Sequence, residues 1–196
     1  MKFTRVFAFM ALAGLAGSAF ATDGYFSHGY GMKAKGMGGA ATASSDDAFF
    51  GANNPAAAAF AGNRLDLGAD VFSPRREASR TGSMGGMFDG SAKSDSNYFV
   101  IPEFGYNYMY NNDLALGVSV YGNGGMNTNY PSGQLNMAAC SQGMAPSGPA
   151  NLLCGSGKLG VDLMQLIVAP TAAYKVAPNH SIGISPLIGY QRFKAE

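Results

Sequence analysis

Five segments of the chain alternate between apolar and polar residues with a period of two. They cover residues 65–71, 98–110, 114–120, 164–175 and 182–191. Successive side chains of a β-strand point to opposite faces, so each segment predicts a strand with one apolar and one polar face. Each segment is about ten residues long, the length that a tilted strand needs to cross a bilayer.

The connections between these segments alternate in length. Residues 111–113 and 177–180 form short links, whereas residues 74–97 and 122–160 form long ones. Long outer loops and tight periplasmic turns are typical of an outer-membrane barrel. The predicted fold is therefore all-β, a transmembrane antiparallel β-barrel. A secreted, soluble β-sandwich that binds a partner remains the alternative, because period-two alternation occurs in both.

Composition fits a sheet with lipid on one face, and it also fits a secreted, Gly-rich β protein. Hydrophobic residues make up 47 % of the chain and charged residues only 13 %, whereas soluble domains carry about 25 % charged residues. The formal net charge is +1, and there is no basic stripe that would bind nucleic acid. After residue 21 no apolar run is long enough for a membrane helix. An exported chain without such helices can span a membrane only as a barrel.

The first 21 residues have the three parts of a secretory signal peptide. Lys2 and Arg5 supply the positive charge, residues 6–15 are almost entirely apolar, and residues 19–21 read Ala-Phe-Ala, a typical cleavage site. We therefore predict a signal peptide over residues 1–21, and a mature protein in the outer membrane of a Gram-negative cell.

The mature chain divides into two regions. Residues 22–63 are rich in Gly, Ala and Ser without strand periodicity, and predict a hatch, or plug, that folds into the barrel lumen. Residues 64–196 predict the first strands and loops of the barrel. Five strands are too few and odd in number for a closed bacterial barrel, so we expect the sequence to be truncated after about five strands.

Three prolines fall within the predicted strands, namely Pro102, Pro170 and Pro186. Each removes a hydrogen bond from the strand ladder, and we expect local bulges at these positions.

The run GMGGAATASSDDAFFGANNPAAAAF, residues 36–60, resembles the N-terminal hatch of the outer-membrane long-chain fatty-acid and hydrocarbon transporter family, the FadL/TodX group. Asn54, Pro55 and Ala56 match the Asn-Pro-Ala motif of that hatch. The resemblance continues through YGNGGMNTNY and through the hairpin from APTAAYKV to LIGYQRFKAE. It covers essentially the whole mature chain.

The resemblance implies transport without catalysis. An outer loop captures a hydrophobic ligand, which passes to an inner pocket and leaves through a lateral gap at a kink in the third strand. By position the kink falls at Gly122, Gly124 and Gly125. Glycine within a strand is typical of a bulge or bend. The alternative is that these glycines begin a flexible loop.

The second long loop carries apolar residues where a loop is normally polar. They are the candidate capture site for the ligand: Leu135, Met137, Met144, Leu152 and Leu153. The alternative is that these side chains pack a small core within the loop itself.

Cys140 and Cys154, the only two cysteines, lie in the same loop. In an oxidising compartment such a pair predicts a disulfide, which would contribute about 3 kcal/mol by closing a loop of roughly 15 residues. We expect no metal site and no cofactor. We also see no nucleophile–base pair, so the sequence does not indicate an enzyme.

The sequence thus predicts outer-membrane transport of hydrophobic compounds, most simply long-chain fatty acids. Aromatic hydrocarbons are the alternative substrates, and a structural or adhesive barrel without transport is the alternative role. The expected partners are the hydrophobic ligand and outer-membrane lipid, and the complete barrel is expected to be monomeric.

Overall fold

The computed structural model describes residues 24–86, 88–133 and 150–196. Eight strands lie within these ranges: β1 Arg64–Phe72, β2 Glu77–Arg80, β3 Gly90–Lys93, β4 Phe99–Met109, β5 Leu114–Tyr130, β6 Leu159–Ala177, β7 His180–Ile184 and β8 Ile188–Ala195. The same ranges contain the α-helix α1, Met32–Gly36, and two 3₁₀ helices, Pro55–Phe60 and Ser83–Gly86. None of these described helices has the length and apolar character needed to cross a membrane.

Six of these strands form one antiparallel sheet. Its order is β1-β4-β5-β6, and both β7 and β8 pair with the other edge of β6. The sheet is open across the described ranges, with β1 at one edge and β7 and β8 at the other. The hairpin of β2 and β3 stands apart from it. The prediction of an all-β, antiparallel fold is confirmed.

Each of the five predicted segments coincides with a strand of this sheet, the fifth being divided into β7 and β8. Two features differ from the prediction. β5 continues to Tyr130 through the glycines at 122, 124 and 125, so a loop does not begin there. The first long connection contains the hairpin of β2 and β3, whose strands are only four residues long and too short for a visible alternation.

The expectation of a bulge is wrong for Pro102 and Pro170, whereas Pro186 falls between the end of β7 and the start of β8. Pro102 lies opposite Ala69 in regular register with β1, and Pro170 lies opposite Val118 in regular register with β5. In the sheet as described, the register shifts fall between Gly122 and Gly124 and between Lys175 and Ala177.

The two faces of the sheet differ sharply in burial. One face, here called the outer face, exposes large apolar side chains, including Leu67 at 73 %, Val100 at 70 % and Ile184 at 71 % exposure. The inner face carries small or polar residues that are almost fully buried, among them Ser119 and Asn107. This is the reverse of a soluble sheet, in which the apolar face is the one packed on a core.

Residues 24–63, here called the N-terminal segment, pack on the inner face. Their contact centres on a cluster of small apolar residues joined by one aromatic ring: Ala48, Phe50, Ala57, Ala58 and Ala59 of the segment with Ala115 and Ala173 of the sheet. Small residues allow close approach of the two backbones. A Cβ atom added at Gly105 of β4 would lie 2.6 Å from the carbonyl oxygen of Ala48, so only glycine fits there.

Candidate functional site

Strands β4 and β5 part before either of them ends. Their pairing stops at Phe104 and Val120, although β4 extends to Phe99 and β5 to Tyr130. The chains meet again further along, where the amide of Asp95 donates to the carbonyl of Asn129 over 2.9 Å. Residues 99–103 and 121–128 therefore border a break in the sheet, here called the wall gap.

A bulge in β5 lies on one border of the wall gap. The register with β6 shifts between Gly122 and Gly124, which leaves Asn123 as an extra residue on β5. Both flanking glycines have close neighbours, and at Gly124 the neighbour is a backbone carbonyl, so only glycine fits there. A Cβ atom would lie 2.6 Å from Cγ2 of Ile101 at Gly122, and 2.1 Å from the carbonyl oxygen of Tyr25 at Gly124.

The start of the N-terminal segment binds directly to this bulge. Phe26 forms an antiparallel bridge with Gly124, and the Gly125 amide donates to the carbonyl of Tyr25 over 2.9 Å. The Tyr30 hydroxyl donates to the Asn123 side chain over 2.8 Å, and its ring lies 4.6 Å from that of Tyr121. The segment thus pairs with β5 through one isolated bridge at the bulge.

A cavity of about 260 Å³ lies beside the bulge on the inner face. Its lining combines apolar side chains with three amides: Phe26, Asn123, Gln165, Ile167, Gly189, Tyr190 and Gln191. The amides form a hydrogen-bonded row across three strands. Asn123 donates to Gln165 over 3.0 Å, and Gln165 donates to Gln191 over 2.6 Å. A pocket that is mainly apolar with a few oriented polar groups is typical of small-molecule sites.

An ion cluster holds helix α1 to the inner face of the sheet. The Lys35 ammonium bonds to Glu103 of β4 and lies 3.3 Å from a carboxylate oxygen of Asp70 of β1. The Lys35 and Glu103 side chains are 7 % and 0 % exposed. Buried charges need such partners, because an uncompensated one costs several kcal/mol. Removing either partner is therefore expected to loosen the segment from the wall.

The predicted Asn54-Pro55-Ala56 motif starts a 3₁₀ helix and docks it on β7. The Asn54 side chain caps the helix by accepting from the Ala56 amide over 3.1 Å, and it donates to the Thr42 carbonyl over 2.9 Å. Pro55 occupies the first turn, where the missing N–H has no cost. The Ala56 carbonyl accepts from the Ser181 hydroxyl over 2.8 Å. This geometry accounts for the motif through local folding and docking.

The predicted capture site falls only partly within the described residues. Leu135, Met137, Met144 and Cys140 lie outside them. Leu152 and Leu153 lie in a turn held by the Asn151 side chain, which accepts from the amides of residues 153 and 155. Leu152 is 8 % exposed and Leu153 is 68 % exposed, so only Leu153 offers its side chain to solvent. The pairing of Cys140 with Cys154 stays a prediction.

Several residues of the cavity and the ion cluster were not singled out as site residues from the sequence, notably Phe26, Lys35, Asn123, Gln165 and Gln191. A partial signal existed for two positions. Glu103 is the lone carboxylate in an aromatic strand, and Asn123 stands between glycines. The partners are separated by 68 residues for Lys35 and Glu103 and by 42 for Asn123 and Gln165, so no local pattern could join them.

An exposed apolar face, a buried polar face covered by an N-terminal segment, and a break in the wall define a protein whose outside is suited to hydrocarbon. Comparison with protein families agrees. The sequence model described as outer membrane protein transport protein (OMPP1/FadL/TodX) matches residues 8–196, and the chain belongs to this family. Its members transport hydrophobic compounds across the outer membrane and are not enzymes. Comparisons with curated proteins and with solved structures found no match.

Proposed function

We propose that the protein carries long-chain fatty acids through the outer membrane without catalysis. In this proposal the strands form part of the wall of a closed transmembrane barrel, residues 22–63 are its hatch, and residues 1–21 are a cleaved signal peptide. Aromatic hydrocarbons are the second candidate substrates. A structural or adhesive barrel without transport is the remaining candidate.

The observation that carries the proposal is a sheet whose apolar face is exposed and whose polar face is buried, with a cavity beside the wall gap. A ligand moving from water into the bilayer needs an apolar resting place and a route through the strands. The cavity offers Phe26 and Ile167 as apolar lining, and the wall gap adjoins Asn123, which lines the same cavity. We therefore assign the lateral exit to the wall gap and to the kink at Gly122, Gly124 and Gly125.

Entry is assigned to the second long loop. Leu135, Met137, Met144, Leu152 and Leu153 form the proposed capture site, and a disulfide between Cys140 and Cys154 would restrain that loop. By closing a loop of roughly 15 residues, the disulfide would lower the entropy of the unfolded chain and stabilise the folded protein by about 3 kcal/mol. Mutating Leu153 to Ser tests the exposed member of the set, since its side chain is 68 % exposed. Uptake at low ligand concentration should fall more than uptake at saturation.

Uptake of radiolabelled oleate and toluene tests the transport and its substrate. The protein is expressed in the outer membrane of a strain that lacks its own hydrophobic transporter. Oleate uptake with little toluene uptake supports fatty acids, and the reverse result supports aromatic hydrocarbons. Failure to take up either compound, with folded protein present in the membrane, would favour the structural role.

A cysteine pair tests the exit. The Cβ atom built at Gly122 lies 4.0 Å from Cβ of Ile101, a separation suited to a disulfide. The variant Ile101→Cys/Gly122→Cys, in a background with Cys140 and Cys154 replaced by Ser, should lose most uptake when oxidised and regain it on reduction. The control Phe104→Cys/Val120→Cys joins the last paired residues of the same strands and should keep its uptake. Equal uptake by the oxidised gap variant and its background would exclude the wall gap as the main exit.

A further inference from the structure

Two prolines face each other across strands of the same ladder. Ala172 pairs with Ile184 and Val168 pairs with Ile188. The register is the same on both sides, so Pro170 lies opposite Pro186. Neither proline has an amide N–H to donate. Among the described residues, the pairing of β6 with β7 and β8 is interrupted where residues 169–171 face residues 185–187, here called the proline window, whereas 169–171 stay paired with β5 on their other side.

Short hydroxyl side chains satisfy part of the backbone inside this window. The Ser185 hydroxyl donates to the Pro170 carbonyl over 2.8 Å. The Thr171 hydroxyl lies 3.2 Å from that of Ser185 and 3.3 Å from the Ala169 carbonyl. A backbone carbonyl without a donor costs several kcal/mol in hydrocarbon, so these contacts make an interrupted ladder tolerable in a wall that faces lipid.

The N-terminal segment covers the window from the inner face. A Cβ atom added at Gly51 would lie 2.6 Å from Cβ of Ala169 and 2.9 Å from Oγ of Ser185. Gly51 therefore sits directly on the window and leaves no space for a side chain. Displacing this part of the segment would uncover the window from inside.

The window also adjoins the cavity. Ile167 and Gly189 are paired with each other and line the cavity, and each is two residues from the window. Residues 167–171 and 185–189 include no charged side chain. A path from the cavity to the outer face along these residues would therefore suit an uncharged hydrocarbon or the alkyl part of a lipid.

We propose that the proline window is a second lateral opening between the cavity and the membrane, separate from the wall gap and closed by Gly51 at rest. The proposal rests on the transport function proposed above. It predicts that transport does not depend on the wall gap alone, because a ligand in the cavity has two ways through the strands.

The test replaces both prolines so that the ladder can close. Pro170→Val/Pro186→Val restores two amide donors. It is introduced into the cysteine-free background and into the oxidised Ile101→Cys/Gly122→Cys protein, whose wall gap is closed. The control Ala172→Val/Ile184→Val changes the pair of residues two positions further along the same ladder. Folding of each variant is checked by its heat-dependent mobility on gels. Uptake is measured with oleate and toluene.

When only the wall gap is closed, we expect residual uptake. When the prolines are also replaced, we expect that residual uptake to be lost. The control variant should retain it. Two results would overturn the window: no residual uptake with the wall gap closed, or the same residual uptake with and without the prolines. Absence of uptake in the background itself would instead refute the transport function, which separates the two failures.

Discussion

The inner and outer faces of the sheet are built from the same strands but solve opposite problems. Alternate residues of β1 and β4 place Leu67 and Val100 outward, exposed at 73 % and 70 %, while Glu103 and Asn107 point inward and are buried. Exposed apolar surface in water is unfavourable by about 25 cal/mol per Å², so a soluble fold would reverse the arrangement. The contrast favours lipid as the environment of the outer face, whereas hydrogen bonds and ion pairs hold the inner face to the N-terminal segment.

The largest effect is expected from disrupting the ion cluster on the inner face. Lys35→Met leaves Glu103 buried without its cation, and removing one partner of such a pair costs about 3–5 kcal/mol. Unfolding in detergent and proteolysis of the N-terminal segment should both become easier. Lys33→Met is the matched control, since Lys33 is exposed and donates only to a backbone carbonyl. Adding Glu103→Met should recover much of the loss, and its failure to do so would contradict the assignment.

A charge on the outer face should have the next largest effect. Leu67→Arg places a guanidinium on the face that we propose lies in lipid, and it should cost about 2–4 kcal/mol if Leu67 lies near the bilayer midplane. Leu153→Arg serves as the control, because Leu153 is comparably exposed at 68 % but lies in a turn outside the sheet. Folding into vesicles measures the difference. Equal folding of the two variants would indicate water at the outer face.

A smaller effect is expected from removing one hydrogen bond on the inner face. Ser119→Ala removes the bond of 2.9 Å that its hydroxyl donates to the buried Ala48 carbonyl. An unsatisfied buried acceptor costs about 1–3 kcal/mol, so the midpoint of denaturant unfolding should fall. Ser79→Ala in the exposed hairpin strand β2 should leave the midpoint unchanged. Similar midpoints for both variants would show that the contact adds nothing.

The smallest effect is a pH dependence within the N-terminal segment. Burial raises the pKa of Asp47 above its ordinary 3.8. The folded state then holds this proton more firmly than the unfolded state, so the contribution of Asp47 to stability falls as pH rises from 3.8 through the raised pKa. Asp47→Asn keeps an acceptor for the Phe49 amide and should remove this fall.

Melting temperatures in detergent across the weakly acidic range measure that effect. The difference between Asp47→Asn and the parent should increase with pH. Asp46→Asn removes a neighbouring exposed charge and controls for net charge. A constant difference between Asp47→Asn and the parent at every pH would rule out the proposed linkage.

The sequence predicts features that each strand specifies for itself and misses those that need partners. Leu65 and Leu67 fix the parity of β1 locally, and the Asn-Pro-Ala motif carries its own helix start. The wall gap depends on where β4 stops pairing with β5, and the cavity gathers Phe26, Asn123, Gln165 and Gln191 from four distant segments. The proline window depends on register, which the prolines do not reveal individually.

The most direct test of the central claim is a nitroxide scan along residues 65–71 of β1 and 114–120 of β5, in the cysteine-free protein reconstituted into vesicles. Collision with oxygen, which concentrates in lipid, is compared with collision with a water-soluble nickel complex. We predict high oxygen accessibility at Leu65, Leu67 and Val71, alternating with protected positions at Asp66, Gly68 and Asp70. High nickel accessibility at Leu67 and Val71, with oxygen excluded, would contradict an outer face in hydrocarbon.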